Sequence, residues 1–293
     1  MSRFLVLDVG GSGIKHAVAD EAFALTDKGT VRNTFTTHDE FIEGVGRLFD
    51  ASGPVDGIAI SSAGELDPAT GHMFSGGYLR FNAGTNLIAS VSARCPTRVS
   101  VENDANCALL AEVADGALTG CRTAAMFVLG TGLGGALLID GRVHYGAKFH
   151  AGNASFTLVD LDDPDPKRLL GLTGGASGLV EPYRERTGSE PGSIDGRTFF
   201  ERFDEGDPVA VEVLDEYASR VAAFLYNVHV LIDPDAMAIG GGISAHPALV
   251  PAIDAHLQSL IARSLVQLPT PVVRVAQHRN DANLLGALRH HLT

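Results

Sequence analysis

Apolar residues fall in short runs divided by glycine-rich turns. Phe4 to Asp8 reads as a buried strand, and Gly10-Gly11-Ser12-Gly13 turns the chain into a second strand, Ile14 to Val18. His38 to Phe49 has helical spacing, and Gly57 to Ser61 is a short strand ending at Ser62-Ala63-Gly64. Asp67-Pro68-Ala69-Thr70-Gly71 has the chemistry of a turn. Arg98 to Val101 reads as a strand, and Glu102-Asn103-Asp104-Ala105-Asn106 leads into an apolar helix from Cys107 to Val113. The second half repeats the theme. Thr123 to Leu129 and Gly135 to Ile139 flank Gly130-Thr131-Gly132-Leu133-Gly134, and Asp140-Gly141 turns toward a further strand.

Asp160 to Pro166 reads as an acidic surface loop. Pro208 to Leu231 is the longest predicted helix, Ala236 to Gly242 a strand with a glycine turn, Val272 to Gln277 a strand and Asp281 to His290 a final helix. Strands alternate with helices while hairpins add antiparallel pairs, so the class is α/β with mixed sheets. The predicted division is a first domain over 1–117 and a second over 118–280, with 281–293 returning to the first.

Composition narrows the function. The 293 residues are 45% hydrophobic and 19% charged, with 6% aromatics and no Trp, so the cores are aliphatic. A net charge of −13 argues against a nucleic-acid partner, because phosphate backbones are gripped by clustered Lys and Arg. It does not argue against ATP, whose phosphates backbone N–H groups and a metal ion can hold. Cys95, Cys107 and Cys121 form no Cys-x-x-Cys pair and read as free thiols of a reducing compartment. No signal peptide and no apolar run of about 20 residues is present, so a cytoplasmic protein without a membrane partner is expected.

Three turns suit phosphate: Asp8 with Gly10, Gly11, Ser12 and Gly13; Gly130, Thr131, Gly132 and Gly134; and Gly240, Gly241 and Gly242. Glycine leaves no side chain between the amide and a ligand oxygen, and consecutive N–H groups make an anion-binding concavity. A single such turn is more often a plain hairpin; three in one chain, one preceded by Asp8, favour a nucleotide. Asp8 suits Mg²⁺ held through water. The first turn enters a strand, not a helix, which removes the dinucleotide-binding reading, and no Gly-Lys-Ser/Thr ending marks a P-loop.

Asn-Asp-Ala-Asn occurs twice, at Asn103 to Asn106 and Asn280 to Asn283, each between a strand and an apolar helix. An Asp at such a junction caps the helix or projects into a cleft as a proton acceptor. Residue chemistry favours capping for Asp281 and leaves Asp104 balanced between the two.

Leu7 to Lys15, Glu102 to Asn106, Leu129 to Gly135 and Ile239 to Ile243 together resemble the ROK family (repressors, open reading frames and kinases). The resemblance implies the two-lobed actin-like ATPase (ribonuclease H-like) fold, with mixed sheets and a central cleft. It implies an ATP- and Mg²⁺-dependent sugar kinase and, by the family's pattern, a homodimer, with Asp104 as general base and Asn103 on the sugar. The glycine turns would be the phosphate and nucleotide elements, and Gly64 and Asn82 would start the sugar wall. The family's repressors carry an N-terminal DNA-reading domain, whereas here the phosphate strand begins by residue 4.

The family usually continues with Gly-Glu-x-Gly-His and a zinc-binding cysteine cluster. Here the segment reads Gly152-Asn153-Ala154-Ser155-Phe156 and no cysteine follows Cys121, so zinc is not expected. Asn153 keeps hydrogen-bonding capacity, while Phe156 offers either a ring for a sugar or a core side chain. This points to a β-glucoside or disaccharide rather than free glucose, and the resemblance to the family's kinases makes the 6-hydroxyl of such a hexose the expected acceptor. An inactive sugar or nucleotide sensor and a polyphosphate-using kinase are the alternatives.

Overall fold

The computed structural model describes residues 2–160, 162–165 and 168–293. Contacts group the chain into two units. The first holds residues up to Ala114, Tyr145–His150 and Asp281–Thr293; the second holds Asp115–His144 and Ala151–Asn280. The acidic loop expected over Asp160 to Pro166 falls partly on Leu161 and Pro166, outside the described residues.

The first unit is built on β1 (Arg3–Val9), β2 (Gly13–Asp20), β3 (Leu25–Arg32), α1 (His38–Ala51), β4 (Gly57–Ser62), β5 (Leu66–Asp67), β6 (His72–Met73), α2 (Leu87–Arg94), β7 (Arg98–Asn103) and α3 (Asp104–Asp115). Its five-stranded sheet runs β3-β2-β1-β4-β7, antiparallel at the hairpin end and parallel from β1 to β7. β1 and β4 carry the unbroken apolar runs Phe4–Leu7 and Gly57–Ile60 because both their faces are covered. β3 and α2 go beyond the sequence reading. β3 is mostly exposed and carries Thr26, Asp27, Lys28 and Gly29, so it lacks an apolar pattern and exists by pairing with β2.

The C-terminal helix Ala282–Leu292 packs Leu284, Ala287 and Leu288 on Phe4, Val6, Ala17, Ala59 and Cys107. Each buried leucine contributes about 1.5–3 kcal/mol. Gly286 lies against the Cys107 carbonyl with no room for a Cβ, which brings the two helices into backbone contact.

The second unit repeats the hairpin-plus-parallel design with β8 (Ala124–Leu129), β9 (Leu133–Ile139), β10 (Arg142–Val143), α4 (Leu170–Thr173), α5 (Ser177–Thr187), α6 (Gly196–Asp204), α7 (Pro208–Ile232), β11 (Ala236–Gly240), α8 (Leu249–Ala262) and β12 (Val273–Val275). Its sheet order is β10-β9-β8-β11-β12. Asp207 caps α7 by accepting from Val209 N at 2.8 Å, and Pro208 sits at the first helical position. Val213, Leu214, Tyr217, Val221 and Leu225 bury one face of α7.

Candidate active site

Sheet register determines the first cluster. Asp8 on β1 stands opposite Lys15 on β2 and Ser61 on β4, and Ser61 stands opposite Glu102 on β7. Lys15 Nζ accordingly lies 3.3 Å from Asp8 Oδ2, and the Ser61 hydroxyl donates to Asp8 Oδ1 at 3.4 Å. Asn283 Nδ2, from the C-terminal helix, donates to the same Oδ1 at 2.9 Å. Lys15, half exposed on its strand, is thus the ionic partner of Asp8. The buried Asp8 carboxylate is held from three sides.

The Gly10–Gly13 turn closes by a bond from Gly10 N to Gly13 O of 3.0 Å. Asn33 holds two of its carbonyls, donating from Nδ2 to Gly10 O at 3.2 Å and from its backbone N to Ser12 O at 3.1 Å. The amides of Gly11 and Ser12 have no partner among the described residues. Carbonyls tied back with amides left over is the arrangement an anion needs.

At the β7–α3 junction Asn103 caps the helix, accepting from Ala105 N at 2.9 Å and Asn106 N at 3.2 Å. Its Nδ2 donates to Gly64 O at 3.0 Å. Gly64 has φ +104°, and a Cβ there would strike the Ser75 carbonyl, so only glycine fits. Asp104 accepts from Ala105 N at 2.9 Å, a bond within its own turn. Burial, and after it the Asp8 charge, push its carboxyl up to about 6. That range suits a base working near neutral pH.

Glu102, fully buried, anchors this junction. It accepts from Tyr145 Oη at 2.6 Å, Asn103 N at 2.7 Å and Asn106 Nδ2 at 3.0 Å. Asn82 is buried, with its Oδ1 2.8 Å from His38 Nδ1. Since an amide oxygen only accepts, His38 Nδ1 donates and its Nε2 accepts from Ser90 Oγ at 2.8 Å. No described residue takes the Asn82 amide N–H₂.

In the second unit the hairpin Gly130–Gly134 shows the same signature. Gly130 N donates to Gly132 O at 2.9 Å, Gly130 O accepts from Ala176 N at 2.9 Å, and Thr131 O accepts from Ser177 Oγ at 3.2 Å. The amides of Thr131 and Gly132 have no described partner. Gly241 adopts φ +96° against the Leu129 backbone, bringing the Gly240–Gly242 turn beside this hairpin. A cavity of about 590 Å³ opens there, lined by Gly130, Gly242, Ile243, Phe200, His246 and Pro247 among others. His246 stacks on Phe200 with centroids 4.0 Å apart and lies 3.2 Å from Asp204 Oδ1. The volume suits a nucleoside.

Asn153 starts a short turn, Ala154–Phe156, in which Ser155 Oγ donates to Leu133 O at 2.7 Å. Phe156 is 59% exposed, which overturns the core alternative for this ring. Asp281 likewise departs from the capping expectation. Its side chain makes no cap bond and pairs with Lys28 Nζ at 2.7 Å.

The ROK family model matches residues 4–291. The chain belongs to the ROK family. A β-glucoside kinase of Klebsiella pneumoniae is 29% identical over 290 residues, covering 98% of this chain and 95% of the relative. A ROK family protein of Streptococcus pneumoniae TIGR4, solved with sucrose, superposes with a TM-score of 0.87 at 26% identity over 99% and 98% of the two chains. A ROK glucokinase of Streptomyces griseus, solved with glucose and AMPPNP, gives 0.85 at 26% identity over 98% of each. The fold is thus that of the ROK sugar kinases, an actin-like ATPase fold.

Several residues of this ROK chain's site lay beyond sequence reasoning: Asn33, Glu102 as a hub, Tyr145, Phe200 and His246. Asn283 had a signal, since it ends the second Asn-Asp-Ala-Asn.

Proposed function

We propose that this chain transfers the γ-phosphoryl group of ATP to the 6-hydroxyl of a hexose carried as a β-glucoside or disaccharide, with Asp104 as general base. The observation that carries it is the division of labour at the β7–α3 junction. Asn103 takes the capping duty, and the Asp104 carboxylate, its affinity for a proton raised to about 6, is left for a ligand. The β-glucoside kinases among the relatives and the sucrose-bound neighbour support the acceptor class.

In this reading the attacking hydroxyl donates to Asp104, which takes its proton as the oxygen–phosphorus bond forms and ADP leaves. Asn103, Gly64 and Asn82 orient the sugar, with Asn153 and Phe156 as further contacts. The amides of Gly11, Ser12, Thr131 and Gly132 take phosphate oxygens, and the Gly242-lined cavity takes the nucleoside. The Asp8 charge adds to the cost of ionising Asp104, and the two carboxylates together fit a divalent cation that keeps water and phosphate ligands. Mg²⁺ bound there, with Asp8 holding it through water, would neutralise phosphate charge. The reading extends to a cytoplasmic homodimer, which light scattering on the purified protein checks.

ADP release with Mg-ATP across glucose, N-acetylmannosamine, cellobiose and gentiobiose tests it. Turnover that vanishes in Asp104→Asn is expected. Sugar binding without ADP release would instead favour a sensor, with Asn153 and Phe156 in place of the family's Glu and His as its cause. Turnover only with polyphosphate would change the donor.

A further inference from the structure

The first unit carries an aromatic cluster that the phosphoryl-transfer residues do not use. Phe74 follows β6 and is 51% exposed. Phe149 stacks on it with centroids 5.4 Å apart and planes 23° from parallel. His72 meets Phe74 edge-on at 4.9 Å, which sets the tilt of the ring. Phe149 sits at φ +60°, a conformation that a bulky side chain avoids and that costs stability unless the surroundings impose it. An isolated exposed ring needs no explanation; two stacked rings, one held by a strained backbone, do.

The cluster is bonded to the sugar-site residues at two points. Phe74 N donates to Glu65 O at 2.8 Å, and Glu65 follows Gly64, whose carbonyl accepts from Asn103. From the other side, the Tyr145 ring lies 6.2 Å from Phe149 while its hydroxyl donates to Glu102 on the strand that leads to Asp104. The platform and the base thus share one support.

We infer that Phe74 and Phe149 form a subsite for the second ring of the acceptor, the group joined to C1 of the glucose unit. The inference rests on the proposed sugar kinase reading and deepens it. A flat ring with one apolar face, either a pyranose or an aryl group, stacks on the pair, while a free hexose leaves it bare. C1 and C5 flank the ring oxygen of a pyranose, and in a β-glucoside the equatorial substituent at C1 diverges from the C5–C6 bond, so a ring at C1 leaves the 6-hydroxyl open to Asp104.

Calorimetric titration of glucose, cellobiose and phenyl β-glucoside into the full protein, beside ADP release with each, tests this. Wild type is expected to bind one or both glucosides about tenfold more tightly than glucose, the scale of one well-placed aromatic contact. Phe74→Ala and Phe149→Gly are expected to erase that difference and leave glucose affinity within about twofold. Phe74→Leu keeps the apolar volume without the ring face, and glucose binding in each variant reports its folding. Tightening by cellobiose alone assigns a glycosyl partner; tightening by both assigns any flat ring. Equal wild-type binding of all three, no glucoside binding, or variants that weaken glucose as much as cellobiose would overturn the subsite. Tight glucoside binding without ADP release would leave the subsite and remove the kinase reading. Asp104-dependent turnover without discrimination would do the reverse.

Discussion

The two Asn-Asp-Ala-Asn segments make a controlled comparison within one molecule. In the first, Asn103 caps the helix and ties to Gly64, which leaves the Asp104 carboxylate half-buried beside Asp8. In the second, Asp281 points to solvent and pairs with Lys28, while Asn283 reaches inward to Asp8. One tetrapeptide thus delivers a strained acid in one place and a neutral donor in the other. The difference comes from what surrounds each helix start. A strand end surrounded by packed elements makes Asp104 costly to ionise; at the other turn Asp281 is taken up by an ion pair with a lysine.

Replacing Asp104 by Asn should break the comparison most. Turnover is expected to fall by about 10²–10⁴-fold with ATP affinity retained, measured by ADP release and calorimetry. Short of mutation, acid should do the same. With the carboxyl at about 6, kcat/KM is expected to drop roughly tenfold per pH unit below that value and to level off above it.

Stability should move oppositely. The folded-state pKa is raised, so protonated Asp104 favours the fold and that contribution is lost as pH rises through about 6. Asp104→Asn is therefore expected to be more stable than wild type at pH 8, on the order of 2 kcal/mol, with the gap closing toward pH 4 in denaturant titrations. Asn103→Ala should cost about 1 kcal/mol as a lost cap and raise the sugar KM. Asn283→Leu should also cost about 1 kcal/mol and raise the Mg²⁺ concentration needed for half-maximal rate. Asp281→Ala should change stability least, by about 0.5 kcal/mol or less, and only at low salt.

Local pattern carried a large part of this. The runs Phe4 to Asp8 and Ala124 to Leu129, both followed by glycine turns, are readable because buried strands need unbroken apolar residues. Asp8 stands out because it precedes a glycine turn, whereas residue chemistry leaves Asp104 balanced between cap and base and only the family resemblance chooses between them. What escaped was assembled over distance. The bond between Asn283 and Asp8 spans 275 residues, and nothing local marks it. Tyr145–His150 rejoin the first unit through Glu102, Phe74 and Glu65, contacts that no spacing rule encodes. The nucleoside-sized cavity draws on α6 and the turn after β11, each unremarkable alone. β3 lacks a pattern because its partner strand, not a core, holds it.

The packing of helix Ala282–Leu292 on β1 also orders events during synthesis. Phe4 and Val6 leave the ribosome long before Leu284, Ala287 and Leu288, which cover them. Throughout elongation the amino-terminal sheet has one face without its cover, while Asp115–His144 and Ala151–Asn280 can already condense around β8, β11 and α7. Nascent chains arrested before Ala282 should therefore yield to protease in their earliest residues and resist it in their later ones, so the part of the protein made first is the part finished last.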